Sequence, residues 1–326
     1  RYHARDVAIV LAHQQKAKVL LGSATPSMET YYQAKQDKYG LVVLKERFGA
    51  AQLPAMHFID TKYANRMKLM KGGFSVDLIE VLAENLKQGK QSLLFQNRRG
   101  YSPYLQCQDC DWIATCHQCD VSLTYHVREQ ELRCHYCGHH ESLIHRCGAC
   151  GSAQIKTMGY GTEKLEEELQ LHLPNARVAR MDLDTTRSKT AFTSLITEIQ
   201  KGQVDILVGT QMVAKGLDFE GLSLVAIFDA DKIINFPDFR AHERGFQLIT
   251  QVAGRAGRRD VQGQVYIQTN QPNHRLFGYI QEGNYEQLYA DEMIEREGYH
   301  YPPFTRLIKI VMRHFEARNV ETAAKD

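Results

Sequence analysis

The sequence predicts an α/β protein: a mostly parallel sheet with helices on both faces, interrupted by a cysteine-rich insertion. Two observations predict the sheet. Apolar runs of strand length alternate with helical segments of ordinary length from Met56 to Thr269, the pattern of repeated βαβ units. The longest apolar runs, such as Val7–Ala12 and Leu222–Phe228, are strand length, and none reaches the length of a membrane helix. A third observation predicts the insertion. All eight cysteines fall between Cys107 and Cys150, in a chain otherwise free of cysteine.

The elements follow in order. Lys18–Gly22 reads as a short apolar strand closed by Ser23, Ala24, Thr25 and Pro26. Met56–Asp60 reads as a second strand. A helix starts at Ser75, with Leu78, Ile79, Leu82 and Leu86 on one face and Gly89 as its stop. Ser92–Phe95 is a buried strand. After Arg98, Arg99, Gly100 and Tyr101 the cysteine segment breaks the pattern. The alternation resumes with a helix over Thr162–Leu173, capped by Thr162 and ended before Pro174. Arg177–Asp182 is a strand and Ala191–Lys201 a helix. Asp205–Gly209 and Leu222–Asp229 are strands, Phe239–Val252 a helix, and Gly263–Thr269 the last strand. Pro272 and Asn273 mark a boundary. Beyond it a helix, Tyr285–Arg296, and a strand, Leu307–Arg313, predict part of a further α+β domain.

At 326 residues the chain has room for two or three domains. Its net charge of +2 gives no global basic balance, so any nucleic-acid surface is local. No signal peptide is visible. The chain opens on Arg1 and closes on Asp326, and it reads as a piece of a longer protein.

The cysteines form four C-x-x-C units: Cys107/Cys110, Cys116/Cys119, Cys134/Cys137 and Cys147/Cys150. A disulfide framework suits small secreted domains, not a patch inside a large chain. C-x-x-C presents two thiolates to one ion, so the expectation is two tetrahedral zinc sites in a reducing compartment, the cytoplasm. With four thiolates each, the sites have no open position and are structural. Metal and local fold are then inseparable, at about 10–16 kcal/mol per site. Spacing alone allows the units to pair as neighbours, alternately or nested. Eight thiolates fill two sites, so His117, His126, His135, His139, His140 and His145 are expected to be solvated or to support the thiolates. Trp112, Tyr125 and Tyr136 either pack a small core or offer a flat surface to DNA or a partner.

Ligands of an open parallel sheet bind at the carboxyl ends of its strands. Polar clusters follow three predicted strands: Ser23–Thr25, Gly209–Asp218 and Asp229–Asp231. A fourth, Gln251–Arg258, closes the helix before the last strand. It places Arg255 and Arg258 among glycines, a fork of donors suited to phosphate.

Ser23–Thr25, Gly209–Asp218 and Gln251–Arg258 resemble motifs III, V and VI of superfamily 2 helicases. The opening Arg1–Ala8, the Gly159–Glu163 box, the Pro237–Arg244 stretch and the paired cysteines narrow the resemblance to the PriA family of bacterial replication-restart helicases. It runs from Arg1 to about Arg306. The resemblance implies the end of a first motor lobe over 1–50 and the start of a RecA-like second lobe over 51–101. A double-zinc insertion over 102–158, the rest of lobe two over 159–271 and a partial C-terminal domain over 272–326 would follow.

It further implies an ATP-dependent 3′–5′ DNA helicase that recognises stalled or branched forks and starts primosome assembly. The cofactors would be two structural Zn2+, ATP and Mg2+. The partners would be forked or single-stranded DNA, primosome proteins and single-strand-binding protein, in the cytoplasm at the nucleoid. The zinc units would nest: Cys107, Cys110, Cys147 and Cys150 on one ion, Cys116, Cys119, Cys134 and Cys137 on the other. Arg255 and Arg258 would face the γ-phosphate with Gln251 beside them. Gly216 and Asp218 would lie on the nucleotide side. Thr210 and Gln211, and the box of Gly159, Gly161 and Thr162, would touch DNA. Ser23 and Thr25 would couple nucleotide state to lobe movement. Arg98, Arg99 and Tyr101 read equally as DNA contacts or as plain surface.

The sequence also departs from the family pattern. It contains no G-x-x-x-x-G-K-[ST] loop, since Gly89, Lys90, Gln91 and Ser92 lack the glycine spacing, and no Asp-Glu-Glu-His box. The chain alone is therefore expected not to hydrolyse ATP. The rival expectations are another superfamily 2 translocase and a non-enzymatic zinc module that binds DNA or proteins.

Overall fold

The computed structural model describes the chain apart from residues 1–2, 45–51, 98–103, 108, 111, 118–122, 127–128, 135–137, 159–161, 183–184, 187, 215–218, 220, 236–237, 258–261, 309–311, 313, 315 and 325–326. It divides into two compact units. One holds Arg1–Lys45 and Tyr285–Arg306, the other Glu46–Asn284 and Leu307–Asp326.

The larger unit is built on a six-stranded sheet. Its strands are β1 (Ala55–Asp60), β2 (Gln91–Gln96), β3 (Val178–Met181), β4 (Ile206–Gly209), β5 (Leu222–Phe228) and β6 (Gln264–Thr269). All neighbours run parallel, in the order β1-β6-β5-β2-β4-β3. Parallel strands covered on both faces are apolar throughout, not alternating. The central strands obey this: Leu93, Leu94 and Phe95 of β2 and Val225, Ala226 and Ile227 of β5 are fully buried.

Successive side chains point to opposite faces. Leu94, Ile206, Val208, Leu224, Ala226 and Phe228 therefore share one face. They pack there with Leu78 and Leu82 of α1 (Val76–Lys87) and Leu165 and Leu169 of α2 (Thr162–His172). Three further helices are α3 (Lys189–Gln200), α4 (Ala241–Ala253) and α5 (Arg275–Glu282). They complete helix layers on both sides of the sheet.

Local chemistry sets the helix ends. The Ser75 side chain accepts from the Leu78 amide at 3.1 Å at the start of α1. Gly89 takes φ +67° after its end, the left-handed turn that glycine adopts without a Cβ penalty. Asn85 near the end of α1 is buried. Its amide donates to the Gln91 carbonyl and the Ser92 hydroxyl at 3.2 and 2.8 Å, and its oxygen accepts from Ser223 at 2.8 Å. One side chain thus ties α1 to the starts of β2 and β5.

The cysteine-rich segment is inserted between β2 and α2. Strands Tyr104–Cys107 and Ile155–Met158 pair antiparallel and return the chain to where it left the lobe. Between them Thr124–His126, Glu131–Arg133 and His140–Ser142 form a three-stranded sheet. Leu105, Leu123, Leu132, Cys116 and Cys134 make its core, with Trp112 and Tyr125 against them. A Cβ on Gly148 would lie 2.8 Å from the Trp112 ring, so the indole covers the last C-x-x-C turn. Trp112 and Tyr125 thus pack the module. Tyr136 lies outside the described residues.

In the smaller unit, helix Met28–Lys35 meets helix Tyr285–Gly298. The Tyr31 ring stands edge-on to Tyr285 and Tyr289 at 5.3 and 4.8 Å. Arg296, 1 % exposed, lies 3.8 Å from both Glu292 and Glu29. Two expected strands differ. Lys18–Gly22 is coil, with Leu20 96 % exposed, and so are the described residues of Leu307–Arg313, with Leu307 and Ile308 exposed. A strand needs a neighbour to pair its N–H and C=O groups, and no described strand pairs with either segment.

Candidate functional site: a thiol cluster and two sheet edges

The thiols of Cys107, Cys110, Cys147 and Cys150 converge, all within 4.8 Å of one another. Cys107 ends the strand Tyr104–Cys107, and its amide donates to the Trp112 carbonyl at 2.8 Å. The facing unit is a tight turn. The amides of Ala149 and Cys150 both donate to the Cys147 sulfur at 3.4 Å.

The Sγ–Sγ separations are 3.7 Å for Cys107–Cys150 and 3.5 Å for Cys110–Cys147. Four sulfurs at the usual zinc–thiolate bond length stand about 3.8 Å apart on a tetrahedron. The donor set and its spacing therefore fit zinc. Burial pushes the Cys147 thiol up, but the Cys150 and Ala149 amides and the neighbouring thiols bring it down to about 6. For Cys110 the Trp112 backbone pulls down, and Cys150, burial, Cys147 and Cys107 outweigh it, pushing the thiol up to about 12. A dication bound among these thiols would draw their protons off.

Cys116 and Cys134 are buried, while Cys119 and Cys137 lie outside the described residues. The turn at Cys134 nonetheless repeats the one at Cys147. Gly138 and Gly151, each just past a C-x-x-C unit, take φ +76° and +73°. Their amides bond back to the Cys134 and Cys147 carbonyls at 2.9 and 3.0 Å. The Cys134 and Cys147 amides reach forward to the His139 and Ser152 carbonyls at 2.8 and 2.7 Å. C-x-x-C-G written twice in the sequence is the signal for this shared turn.

The other candidates fall on two opposite edges of the sheet. At the carboxyl edge, Thr210 and Gln211 follow β4. Thr210 is buried, and the Gln211 amide donates to Asn97, just past β2, at 3.2 Å. Thr162 opens α2 and is 1 % exposed. Its hydroxyl donates to Asp182, just past β3, at 2.6 Å. Asp182 also accepts from the Thr185 amide at 3.0 Å and lies 3.3 Å from Arg180. The side chain of Thr162 is thus committed inward, and the amides of the α2 start are what it can offer a phosphate. Asn97 and Asp182 were not singled out in the sequence, because a polar residue past a strand has no distinctive local pattern. Gly159 and Gly161 lie outside the described residues, as do Arg98, Arg99 and Tyr101.

At the amino edge, α4 ends and leads through Gly254, Arg255, Ala256 and Gly257 toward β6. Gln251 is exposed, Arg255 half-buried and Ala256 buried. The Gly257 amide donates to the Leu222 carbonyl at the start of β5, 3.1 Å away. This loop is therefore fixed at the opposite end of the sheet from Thr210 and Gln211. A cavity of about 540 Å3 opens beside the same edge, lined by Lys90, Gln91, Phe219 and Gly221 among others. Arg258, Gly216 and Asp218 lie outside the described residues.

Asp231, in the third polar cluster, is structural. It accepts from the Thr269 hydroxyl at 3.0 Å and the Asn270 amide at 2.7 Å. In the smaller unit the Thr25 amide donates to the Ser23 hydroxyl at 3.1 Å, and the Tyr285 hydroxyl holds the Pro26 carbonyl at 2.8 Å.

Two family models match the chain. The PriA DNA helicase Cys-rich region covers residues 116–141, and the helicase conserved C-terminal domain covers residues 152–260. Replication restart protein PriA of Bacillus subtilis is 44 % identical over 100 % of this chain and 40 % of its own length. The Haemophilus influenzae protein of the same name is 43 % identical over 96 % of this chain and 43 % of its own length. That of Synechocystis is 40 % identical over 98 % and 39 %. The chain thus spans about two fifths of the length of these relatives. The similarity to replication restart protein PriA runs the whole chain and takes in both the cysteine module and the helicase C-terminal domain, so the chain matches a stretch of that protein from end to end.

Proposed function

We propose that the whole protein is an ATP-dependent 3′–5′ DNA helicase that recognises stalled or branched forks and starts primosome assembly, with the larger unit as its second motor lobe. The observation that carries this is the division of candidate residues between two edges of one sheet. A motor must bind fuel and track separately yet through one rigid body, and the core between β4 and β5 is such a body.

On this reading Gln251, Arg255 and Arg258 meet the γ-phosphate at the amino edge, with Gly216 and Asp218 on the same nucleotide. ATP with Mg2+ supplies the phosphoryl group whose transition-state charge the arginine fork stabilises, worth on the order of 10³–10⁵ in turnover. Thr210, Gln211, Gly159, Gly161 and the α2 start hold the DNA backbone at the carboxyl edge. Ser23 and Thr25 couple the two. The cysteine module carries two structural zinc ions, one on Cys107, Cys110, Cys147 and Cys150, the other on Cys116, Cys119, Cys134 and Cys137. The partners are forked or single-stranded DNA, primosome proteins and single-strand-binding protein, and the compartment is the cytoplasm. A sequence without a glycine-rich phosphate loop supports the further reading that this chain alone does not turn over ATP.

The test is unwinding of forked duplexes of both polarities by the whole protein. ATP-dependent unwinding from a 3′ tail is expected. Zinc-dependent DNA or protein binding without any unwinding would instead favour a non-enzymatic module.

A further inference from the structure

Outside the thiols, one cluster among the described residues of the cysteine-rich module has the composition of a metal site. His117 lies between the cysteines of the second C-x-x-C unit. His139 follows the third unit by two residues, and Glu141 lies in the strand His140–Ser142. The fold brings them together. Glu141 Oε1 is 2.9 Å from His139 Nε2 and 3.5 Å from His117 Nδ1. The two rings stand edge-on at 4.3 Å. One ligand atom from each residue lies within 4.8 Å of the others.

We propose that His117, His139 and Glu141 form a third metal site, distinct from the thiolate sites, that takes a borderline divalent cation such as Zn2+, Co2+ or Ni2+. Three arguments carry it. Ligands at ordinary Zn–N and Zn–O bond lengths stand about 3.3 Å apart on a tetrahedron, and the two nitrogen–oxygen separations bracket that value. Imidazole with carboxylate selects Zn, Co and Ni over Mg or Ca. A hydrogen bond accounts for only one of the two contacts: His139 Nε2 is at hydrogen-bond distance from Glu141 Oε1, 2.9 Å, while His117 Nδ1 stands 3.5 Å from the same oxygen, beyond the ordinary N–H···O range. One dication satisfies both ring lone pairs and the carboxylate at once.

Three protein ligands leave at least one position open, so the ion is exchangeable, unlike one enclosed by four thiolates. It also links the second C-x-x-C turn to the strand that follows the third. The site is accessible, since His117 and His139 are 61 and 23 % exposed at their side chains. The open position suits a water or an oxygen ligand from a partner.

The test loads the chain with zinc, removes loosely held metal, and titrates Co2+. The expected result is one further bound equivalent with weak visible d–d bands and no sulfur-to-cobalt charge transfer. His139→Ala and Glu141→Gln should each lose that equivalent and keep the thiolate-bound zinc. His117→Gln, at the most exposed ligand, should do the same, and it guards against a folding defect in the other two. No cobalt bound beyond the thiolate sites would overturn the proposal. So would an extra equivalent that survives all three variants, or one that carries charge-transfer bands. Loss of thiolate-bound zinc in every variant would also overturn it, by making these residues part of a thiolate site.

Discussion

Gly263 offers a sharp test of the amino edge. It immediately precedes β6, and a Cβ built there would stand 2.3 Å from the Ala256 carbonyl carbon and 2.4 Å from its oxygen. Its φ lies outside the left-handed region, so alanine meets no conformational barrier, only a lack of space. Ordinary contact begins near 3.4 Å, and the obstacle is backbone, which cannot rotate away. Gly263→Ala must therefore push the Gln251–Gly257 loop by about 1 Å. Overpacking of this kind costs about 1–3 kcal/mol. A displacement of about 1 Å in a group that positions a reacting phosphate costs on the order of 10²-fold in rate. We expect the whole protein carrying Gly263→Ala to remain folded by thermal melting and to lose about 10²-fold in DNA-stimulated ATP turnover. A folded variant with kcat within about twofold of the parent would refute the reasoning, because the loop would then have moved without consequence.

Other predictions address the frame around this edge. Asn85→Ala removes the bonds to the Gln91 carbonyl and the Ser92 hydroxyl and leaves the Ser223 hydroxyl only its 3.5 Å contact with the Gln91 carbonyl, and it should cost about 1–3 kcal/mol in denaturant unfolding. His274 caps α5 by accepting the Leu276 amide at its Nδ1. Burial, then the charges of His242 and Arg275, lower its pKa from 6.5, and Asp231 opposes them. A depressed imidazole lends stability above its ordinary value and loses it as pH falls through the folded value. Protection of the amides over 275–282, taken relative to their intrinsic exchange rates, should therefore weaken as pH falls below 6.5, and His274→Asn, still a cap, should abolish that dependence. Tyr285→Phe keeps the ring against Tyr31 but removes the hydroxyl's bond to the Pro26 carbonyl. It should speed exchange of the Thr25 amide and, in the whole protein, lower unwinding more than ATP turnover.

Much of the larger unit was legible in the sequence. β2 and β5 are apolar throughout because both sheet faces are covered, and their runs stand out against polar turns. Ser75 and Gly89 mark α1 because a hydroxyl cap and a left-handed glycine are local devices. Strand order was not legible, since neither repetition nor spacing tells that β2 sits between β5 and β4. Lys18–Gly22 misled because an apolar run specifies a strand only where a neighbour completes the ladder. The cysteines were readable as C-x-x-C units; their spacing left the grouping open, the resemblance implied nesting, and the strand pair that brings Cys107 against Cys150 gathers the outer four thiols. The division of Gln251–Gly257 from Thr210 and Gln211 across two edges was hidden for a similar reason. A loop's edge follows from the direction of the helix before it, and α4 runs back against the strands. Asp182 gave no signal, because its bond to Thr162 joins residues 20 positions apart.

The most direct test of the central claim is ATP hydrolysis on forked DNA by the whole protein, parent beside Arg255→Ala, with zinc content measured in both. The account predicts DNA-stimulated turnover that falls by about 10³-fold or more in the variant while bound zinc is unchanged. Turnover indifferent to Arg255 would contradict it, and would leave the loop at the end of α4 as scaffolding.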